Sequence, residues 1–172
     1  ELEVKYHSQP TQGNQTQGIL VEQDEDDWIR FDTYHDGSRL NIFAATTSGG
    51  SSTVQIKDSI DSEAGAYLRV SRQGDTWTFD HSVDGSNWLS AGSFNYALNV
   101  TSVGPFASNS GSNPAFASQV DYFFNGAAPI VPEDGGLSGI VLTELDENLE
   151  ISEIDGGYSY GVTLAKQPSA DV

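Results

Sequence analysis

The stretch AYLRVSRQGDTWTFDHSVDGSNW, residues 66–88, decides the fold class. It holds two short runs rich in β-branched and aromatic residues, 66–73 and 76–83, with Gly74 and Asp75 between them. A Gly-Asp pair in this position is typical of a tight hairpin turn, because glycine adopts positive φ without a steric cost. The stretch therefore predicts two antiparallel strands, and Asp84-Gly85 predicts a second turn directly after them.

The same alternation of short apolar runs and turn residues extends over residues 1–126. It predicts ten strands, near 1–7, 16–23, 27–35, 39–47, 52–57, 66–73, 76–83, 88–94, 102–108 and 115–124. No segment shows the sustained i, i+3, i+4, i+7 apolar spacing of a helix. Ten short strands at this spacing indicate an all-β fold, an antiparallel sandwich or barrel.

The chain is predicted to divide near residue 127. Residues 1–126 contain all three tryptophans and all eight phenylalanines, which is enough to form a core. Residues 127–136, AAPIVPEDGG, have the proline, glycine and acidic composition of a linker. Residues 137–172 have Tyr158 and Tyr160 as their aromatic side chains and are too few to bury a core alone.

The charge balance limits the possible partners. The chain has 25 acidic residues against 7 lysines and arginines, a net charge of −18. Such a surface repels phosphate groups, which argues against nucleic acid and anionic membranes, and no apolar run approaches the roughly 18 residues of a bilayer span. We expect an extracellular, secreted or cell-surface protein from a bacterial, marine or halophilic source, where salt screens this charge. The absence of cysteine excludes disulfides and thiol catalysis.

Strict alternation sorts the side chains of two predicted strands onto two sides. In 27–35, Ile29, Phe31 and Thr33 form the side that we expect to face the core, and in 66–73 Leu68 and Val70 do the same. The opposite sides share aromatic and charged residues, namely Trp28, Arg30, Asp32, Tyr34, Tyr67 and Arg69. We predict that these side chains gather on one outer wall of the fold.

A wall of rings, guanidinium groups and carboxylates suits a carbohydrate. Aromatic rings stack on the apolar C–H faces of sugars, and planar guanidinium and carboxylate groups hydrogen-bond pairs of hydroxyls. Nearby predicted strands add His81, Gln119 and Asp121 as further candidates. His81 alternates with Trp77 and Phe79, so it either joins the wall or belongs to the core. The alternative is a cross-strand ladder of these residues that stabilises an exposed sheet without a ligand. The sequence leaves both interpretations open.

Residues 23–27, QDEDD, form a dense acidic turn between two predicted strands. Calcium prefers oxygen ligands, so Asp24, Asp26 and Asp27 are candidate ligands for a structural calcium ion. The spacing differs from that of an EF-hand loop, and a solvated turn is the alternative.

A second acidic run, residues 144–150, superficially resembles the E-x-D-x-x-E strand motif of laminarinase-type hydrolases. Two carboxylates are the catalytic groups of most glycoside hydrolases. Here the last glutamate falls one position late, and the run lies beyond the linker. We therefore predict no catalytic residue.

Four segments together resemble a known family: GILVEQDEDDWIRFDTYHDG (18–37), residues 66–88, VGPFASN (103–109) and FASQVDYFF (116–124). Their order and spacing are similar to the concanavalin A-like, laminin-G-like superfamily, and more narrowly to the DUF1349 type. The resemblance implies a jelly-roll of two antiparallel sheets. Residues 152–172, SEIDGGYSYGVTLAKQPSADV, resemble the start of a Calx-β-like repeat.

The resemblance also implies a function, because such modules are found appended to secreted glycoside hydrolases and cell-surface proteins. We expect a non-catalytic module that binds polysaccharide or surface glycan and adjoins further modules of the same chain. A structural spacer or adhesion module without a ligand is the alternative, and a glycoside hydrolase is a remote one. The start ELEVKYH has neither an initiator Met nor a leader pattern, which predicts an excised or processed fragment.

Overall fold

The structure is a computed structural model that describes residues 1–61, 65–110, 115–127, 140–144 and 160–164. The chain divides into two compact units, Glu1–Pro129 and Ile130–Val172. Every regular element in the described segments is a strand. No helix in those segments is long and apolar enough to cross a bilayer.

The first unit contains ten described strands: β1 (Leu2–Tyr6), β2 (Thr16–Glu22), β3 (Trp28–His35), β4 (Leu40–Ser48), β5 (Ser51–Ser59), β6 (Tyr67–Gln73), β7 (Thr76–Ser82), β8 (Leu89–Asn95), β9 (Ser102–Ser108) and β10 (Val120–Asn125). They form two antiparallel sheets of five strands. The first sheet has the order β10-β1-β6-β7-β8, and the second sheet has the order β5-β4-β3-β2-β9. The predicted all-β, two-sheet antiparallel sandwich is confirmed.

All ten strands predicted in residues 1–126 are present, most of them within two residues of the predicted bounds. The last strand differs, because it begins at Val120 rather than at 115. Gln119 makes its backbone hydrogen bonds with the segment after β1: its carbonyl accepts from the His7 amide, and its amide donates to Ser8 Oγ. Residues 115–119 are therefore a connection and not part of the strand.

The core lies between the two sheets and is formed as alternation predicts. Ile29 and Phe31 are fully buried, and Leu68 and Val70 of the facing sheet are buried with them. Aromatic rings fill the centre, where the Phe31 ring centroid lies 5.3 Å from that of Phe79 in an edge-on contact. Because these side chains face the core, the residues that alternate with them along β3 and β6 point outward.

Two tyrosine hydroxyls tie parts of this core together. Tyr6, on β1 of the first sheet, donates to the carbonyl of Gly18 on β2 of the second sheet, over 2.6 Å. Tyr96 donates to the carbonyl of Thr47 on β4, over 2.9 Å. Burial raises the pKa of Tyr6 far above its usual value, so its proton is retained for this bond. The buried hydroxyl of Tyr6 and the partly buried hydroxyl of Tyr96 therefore both have a hydrogen-bond partner.

The second unit contributes two described strands, β11 (Ile140–Glu144) and β12 (Tyr160–Leu164), which pair antiparallel. They agree with a short β extension after the sandwich. Most of the predicted linker, of the acidic run 144–150 and of the Calx-β-like segment 152–172 lies outside the described residues. The hypotheses on those segments therefore stay predictions.

Candidate functional site

The predicted shared wall is wrong, because its residues lie on two different surfaces. Arg30, Asp32 and Tyr34 are on β3 of the second sheet, whereas Tyr67 and Arg69 are on β6 of the first sheet. In both strands the alternate residues face the common core. The two sets therefore point away from each other on opposite outer faces of the sandwich. Alternation separates inward from outward residues, but it does not tell which sheet a strand joins.

We call the outer side of the first sheet the Arg69 face, formed by Glu3, Lys5, Tyr67, Arg69 and Tyr122. Arg69 donates from Nε and Nη2 to the same carboxylate oxygen of Glu3, over 3.0 and 2.7 Å. Tyr122 donates to the other oxygen of Glu3, over 2.7 Å. These two partners satisfy the buried carboxylate of Glu3.

The remaining charges of the Arg69 face are also paired. The Arg69 guanidinium carbon lies 3.6 Å from the Trp88 ring centroid, in a cation–π contact. Lys5 Nζ lies 2.7 Å from the carboxylate of Asp121 and 5.5 Å from the Tyr67 ring. The Arg69 face therefore has the geometry of the cross-strand ladder, the alternative that the sequence left open.

We call the outer side of the second sheet the Arg30 face, formed by Arg30, Asp32, Tyr34, Phe43 and Lys57. Register places Asp32 opposite Phe43, and Phe43 opposite Lys57. The Arg30 guanidinium carbon lies 4.5 Å from the Phe43 ring centroid. The Tyr34 ring meets Phe43 edge-on at 5.4 Å, and Lys57 Nζ lies 5.8 Å from the Tyr34 ring. Two rings and two cations thus form a continuous surface across three strands.

At the centre of this face, Asp32 is a buried carboxylate without a hydrogen bond. Its exposed fraction is 0%, and neither carboxylate oxygen has a hydrogen-bond partner. Arg30 Nε lies 3.3 Å from Oδ2, close enough for an ion pair but outside hydrogen-bonding geometry. Burial raises the pKa of Asp32 to about 7, and the neighbouring Arg30 charge only partly opposes it. An unsatisfied buried polar group of this kind costs about 1–3 kcal/mol.

Strands β2 and β3 approach so closely at Asp32 that no side chain fits at the paired position, Gly18. Gly18 on β2 is paired with Asp32 on β3. A Cβ atom at Gly18 would lie 2.5 Å from Asp32 Cα and 2.6 Å from Asp32 Cβ, and it would also collide with the Phe31 carbonyl oxygen. Glycine is therefore required at position 18 by the backbone of β3.

The other predicted ligand residues fall in three places. Trp28 begins β3 on the same side as Arg30 and is half-buried. His81 belongs to the core, the second of its two predicted places, because it is buried and alternates with the core residues Trp77 and Phe79. Gln119 lies in the connection before β10, and Asp121 belongs with Lys5 on the first sheet. Asp121 is therefore not part of the Arg30 face.

The acidic turn is held mainly by its own backbone. The Asp24 carboxylate accepts from the Gln23 side-chain amide and from the backbone amides of Asp26 and Asp27, and these bonds, the Gln23 bond first, lower the pKa of Asp24. In the described segments, no three acidic or histidine side chains are arranged to hold a metal ion. The geometry adds no support for calcium at Asp24, Asp26 and Asp27, and that hypothesis stays a prediction.

Two residues of the Arg30 face were missed in the sequence. Phe43 lies in the run Ile42-Phe43-Ala44-Ala45, which is buried on both sides and shows no alternation. Lys57 comes from β5, where Ile56 is the buried side chain. The alternation of Ile56 with Lys57 predicts an outward lysine. The continuous apolar run around Phe43 does not indicate on which side of the sheet Phe43 lies.

A cavity of about 630 Å³ lies at one end of the sandwich and was also not predicted. We call it the rim cavity. It is lined by the segment after β1, the β3–β4 turn and the end of β5: Gln9, Pro10, Thr11, His35, Ser38, Arg39, Leu40, Ser59, Ile60 and Asp61. Its volume is within the range of small-molecule sites.

The fold and the Arg30 face define an antiparallel β-sandwich domain with a polar and aromatic outer sheet face. Residues 1–123 match the family described as "Protein of unknown function (DUF1349)", and the chain belongs to that family. A search of curated proteins found no match.

Solved structures share this fold at low sequence identity. The GH43 protein BlXynB from Bacillus licheniformis is 20% identical, with a TM-score of 0.62, over 71% of this chain and 26% of that chain. Xylan beta-1,4-xylosidase from Bacillus halodurans C-125 is 18% identical, with a TM-score of 0.56, over the same shares. The present chain therefore spans about a quarter of the length of these structures. At this identity the likeness concerns the fold alone.

Proposed function

We propose that this domain is a non-catalytic carbohydrate-binding module of a larger secreted or cell-surface protein, and that the Arg30 face is its binding surface. The observation that carries the proposal is Asp32, a fully buried carboxylate without a hydrogen bond on an outward sheet face. Both carboxylate oxygens of Asp32 can still accept hydrogen bonds, and buried polar groups without partners are candidates for contact with a ligand.

The groups around Asp32 fit the chemistry of a sugar. Arg30 is the accessible donor, with 30% of its side chain exposed, and its planar guanidinium can bond two neighbouring hydroxyls. When Arg30 turns toward a ligand, Asp32 accepts a hydrogen bond from a sugar hydroxyl that replaces the guanidinium. The half-buried ring of Tyr34 supplies apolar contact. The ligand thereby satisfies a group that the free protein leaves unsatisfied.

Two features support binding rather than hydrolysis and a neutral rather than an acidic glycan. Among the five residues of the Arg30 face Asp32 is the one carboxylate, whereas most glycoside hydrolases need two that lie roughly 5–9 Å apart. The net charge of −18 repels polyanions. Xylan-derived oligosaccharides are suitable first probes, because a xylan beta-1,4-xylosidase shares the fold. Open sheet surfaces exclude little water, so we expect modest affinity.

Substitution on the two faces tests the proposal. We expect Arg30→Ala and Tyr34→Ala each to weaken binding of a neutral hexasaccharide about tenfold, since each removes one main contact. The matched variants Arg69→Ala and Tyr67→Ala change the same residue types on the opposite face and should bind as the wild type does. Affinity would be measured by calorimetry with xylohexaose, cellohexaose and laminarihexaose, after circular dichroism has shown that each variant is folded.

Two results would contradict the proposal. Loss of binding in Arg69→Ala or Tyr67→Ala, with Arg30→Ala unaffected, would move the site to the Arg69 face. Absence of binding to all three hexasaccharides would favour the second candidate function, a spacer or adhesion module. The paired charges of the Arg69 face are the observation that favours this second function, because a face with satisfied charges needs no ligand.

A further inference from the structure

The rim cavity joins the Arg30 face at one end. A cross-strand row runs from Tyr34 through Asn41 to Ser59, and Ser59 lines the cavity. His35 ends β3 on the side opposite Tyr34 and also lines the cavity, so Ser59 is the residue that the row and the cavity share. The strand rises about 3.3 Å per residue, so the cavity begins about 10 Å from Asp32. A linear oligosaccharide that lies on the Arg30 face along β3 therefore reaches the cavity.

The lining combines an apolar surface with groups that hydrogen-bond sugars. Pro10 and Leu40 are buried and supply apolar area. Thr11 and Ser38 are exposed, and their hydroxyls make no hydrogen bond within the described residues. Arg39 and Asp61 bring one charge of each sign to the lining, which suits a neutral ligand. A few polar groups around apolar area are typical of sites for small neutral ligands.

Arg39 is a donor available for a ligand. Among the described arginines, Arg30, Arg69 and Arg72 each lie within 4 Å of a carboxylate, whereas Arg39 has no such partner. The backbone amide of Arg39 is held by the Asp36 carboxylate, over 2.8 Å, so the residue is fixed at its backbone while its guanidinium stays exposed. An unpaired guanidinium is uncommon on a surface with so many acids.

We propose that the rim cavity is a second subsite, which binds the terminal residues of the same neutral oligosaccharide through the Arg39 guanidinium and the Thr11 and Ser38 hydroxyls. The inference rests on the proposed function, because the chain that fills the cavity is the one held on the Arg30 face. The cavity makes the module recognise the end of a glycan chain and not only its middle.

Amide NMR of the full chain with xylohexaose, cellohexaose and laminarihexaose tests both proposals separately. We expect signals of β3 and β4 on the Arg30 face, and those of Ser38 and Arg39, to shift together on titration with a hexasaccharide. Arg39→Ala should weaken binding about tenfold, and Ser38→Trp, which fills the cavity from an exposed turn, should weaken it similarly. Arg72→Ala, a matched loss of charge on the β6–β7 hairpin, should leave the affinity unchanged.

The outcomes separate the two claims. Shifts confined to the Arg30 face, with wild-type affinity in Arg39→Ala and Ser38→Trp, would overturn the second subsite and leave the proposed function standing. Shifts confined to the cavity would retain it as a saccharide site and overturn the Arg30 face. No shift with any of the three hexasaccharides would overturn both.

Discussion

The free energy of unfolding of Asp32→Asn is expected to gain on that of the wild type as the pH rises. The difference between the two proteins should be about 4 kcal/mol larger, in favour of Asp32→Asn, at pH 8 than at pH 4. The reason is that the buried Asp32 carboxyl has its pKa raised from 3.8 to about 7, mainly by burial. Asparagine has a similar shape and does not ionise. The comparison therefore isolates the cost of a buried charge at the centre of the Arg30 face.

The direction follows from proton linkage. Well below the unfolded pKa of 3.8 the Asp32 carboxyl is protonated in both the folded and the unfolded state, and it causes no pH dependence. Between about pH 4 and pH 7 the unfolded chain releases this proton while the folded chain keeps it, so the free energy of unfolding of the wild type falls by roughly 1.4 kcal/mol per pH unit. Over roughly 3 units this gives about 4 kcal/mol, and above pH 7 the difference is constant.

Urea unfolding of the wild type and Asp32→Asn at pH 4, 6 and 8 measures this difference. Asp36→Asn is the control whose difference from the wild type should hardly change from pH 4 to pH 8, because backbone amides of Ser38 and Arg39 lower the pKa of Asp36 to about 2. Its stabilising contribution is present above the unfolded pKa and is lost as the pH falls below 4, outside the Asp32 window. A difference between Asp32→Asn and the wild type that does not change with pH would show that Asp32 is solvated or hydrogen-bonded.

The second large effect is expected for Gly18→Ala, which should destabilise the protein by about 3 kcal/mol or more. The added methyl group meets backbone atoms of β3, including Asp32 Cα at 2.5 Å, and a backbone cannot move aside as a flexible side chain does. Strands β2 and β3 must separate, which also disturbs the Gly18 carbonyl that accepts the Tyr6 hydroxyl. The site and the core are thus damaged by one methyl group.

Gly104→Ala is the matched control, since it places the same methyl group on the adjacent strand β9. Gly104 pairs with Leu20, and a Cβ atom there has nothing within 4 Å. We expect its stability to change by less than about 1 kcal/mol. Both variants would be compared by urea unfolding at one pH. Equal stability of Gly18→Ala and Gly104→Ala would show that β2 and β3 are not as close as described.

The sequence was sufficient for the strands and for the core. Ile29, Phe31, Leu68 and Val70 are buried as their alternation predicts, because a period of two sends neighbouring side chains to opposite sides. The turn at Gly85, with φ of 70°, is where its Asp-Gly pair indicates. Strand alternation and turns depend on residues that are close together in sequence, so one sequence is enough to predict them.

The candidate site was predicted in part. Arg30, Asp32 and Tyr34 are together because one strand carries them, whereas Tyr67 and Arg69 are on the other sheet. Sheet membership depends on pairing between strands distant in sequence, such as β2 with β9, and similar composition does not reveal it. The unsatisfied state of Asp32 depends on its three-dimensional surroundings and could not be predicted from the sequence either.

The most direct test of the central claim is a crystal structure of the domain with a hexasaccharide that binds in calorimetry. We expect the sugar on the outer face of the second sheet, with Arg30 turned toward it and a sugar hydroxyl within hydrogen-bonding distance of Asp32. A sugar bound over Tyr67 and Arg69, with Asp32 still without a hydrogen bond, would contradict the claim.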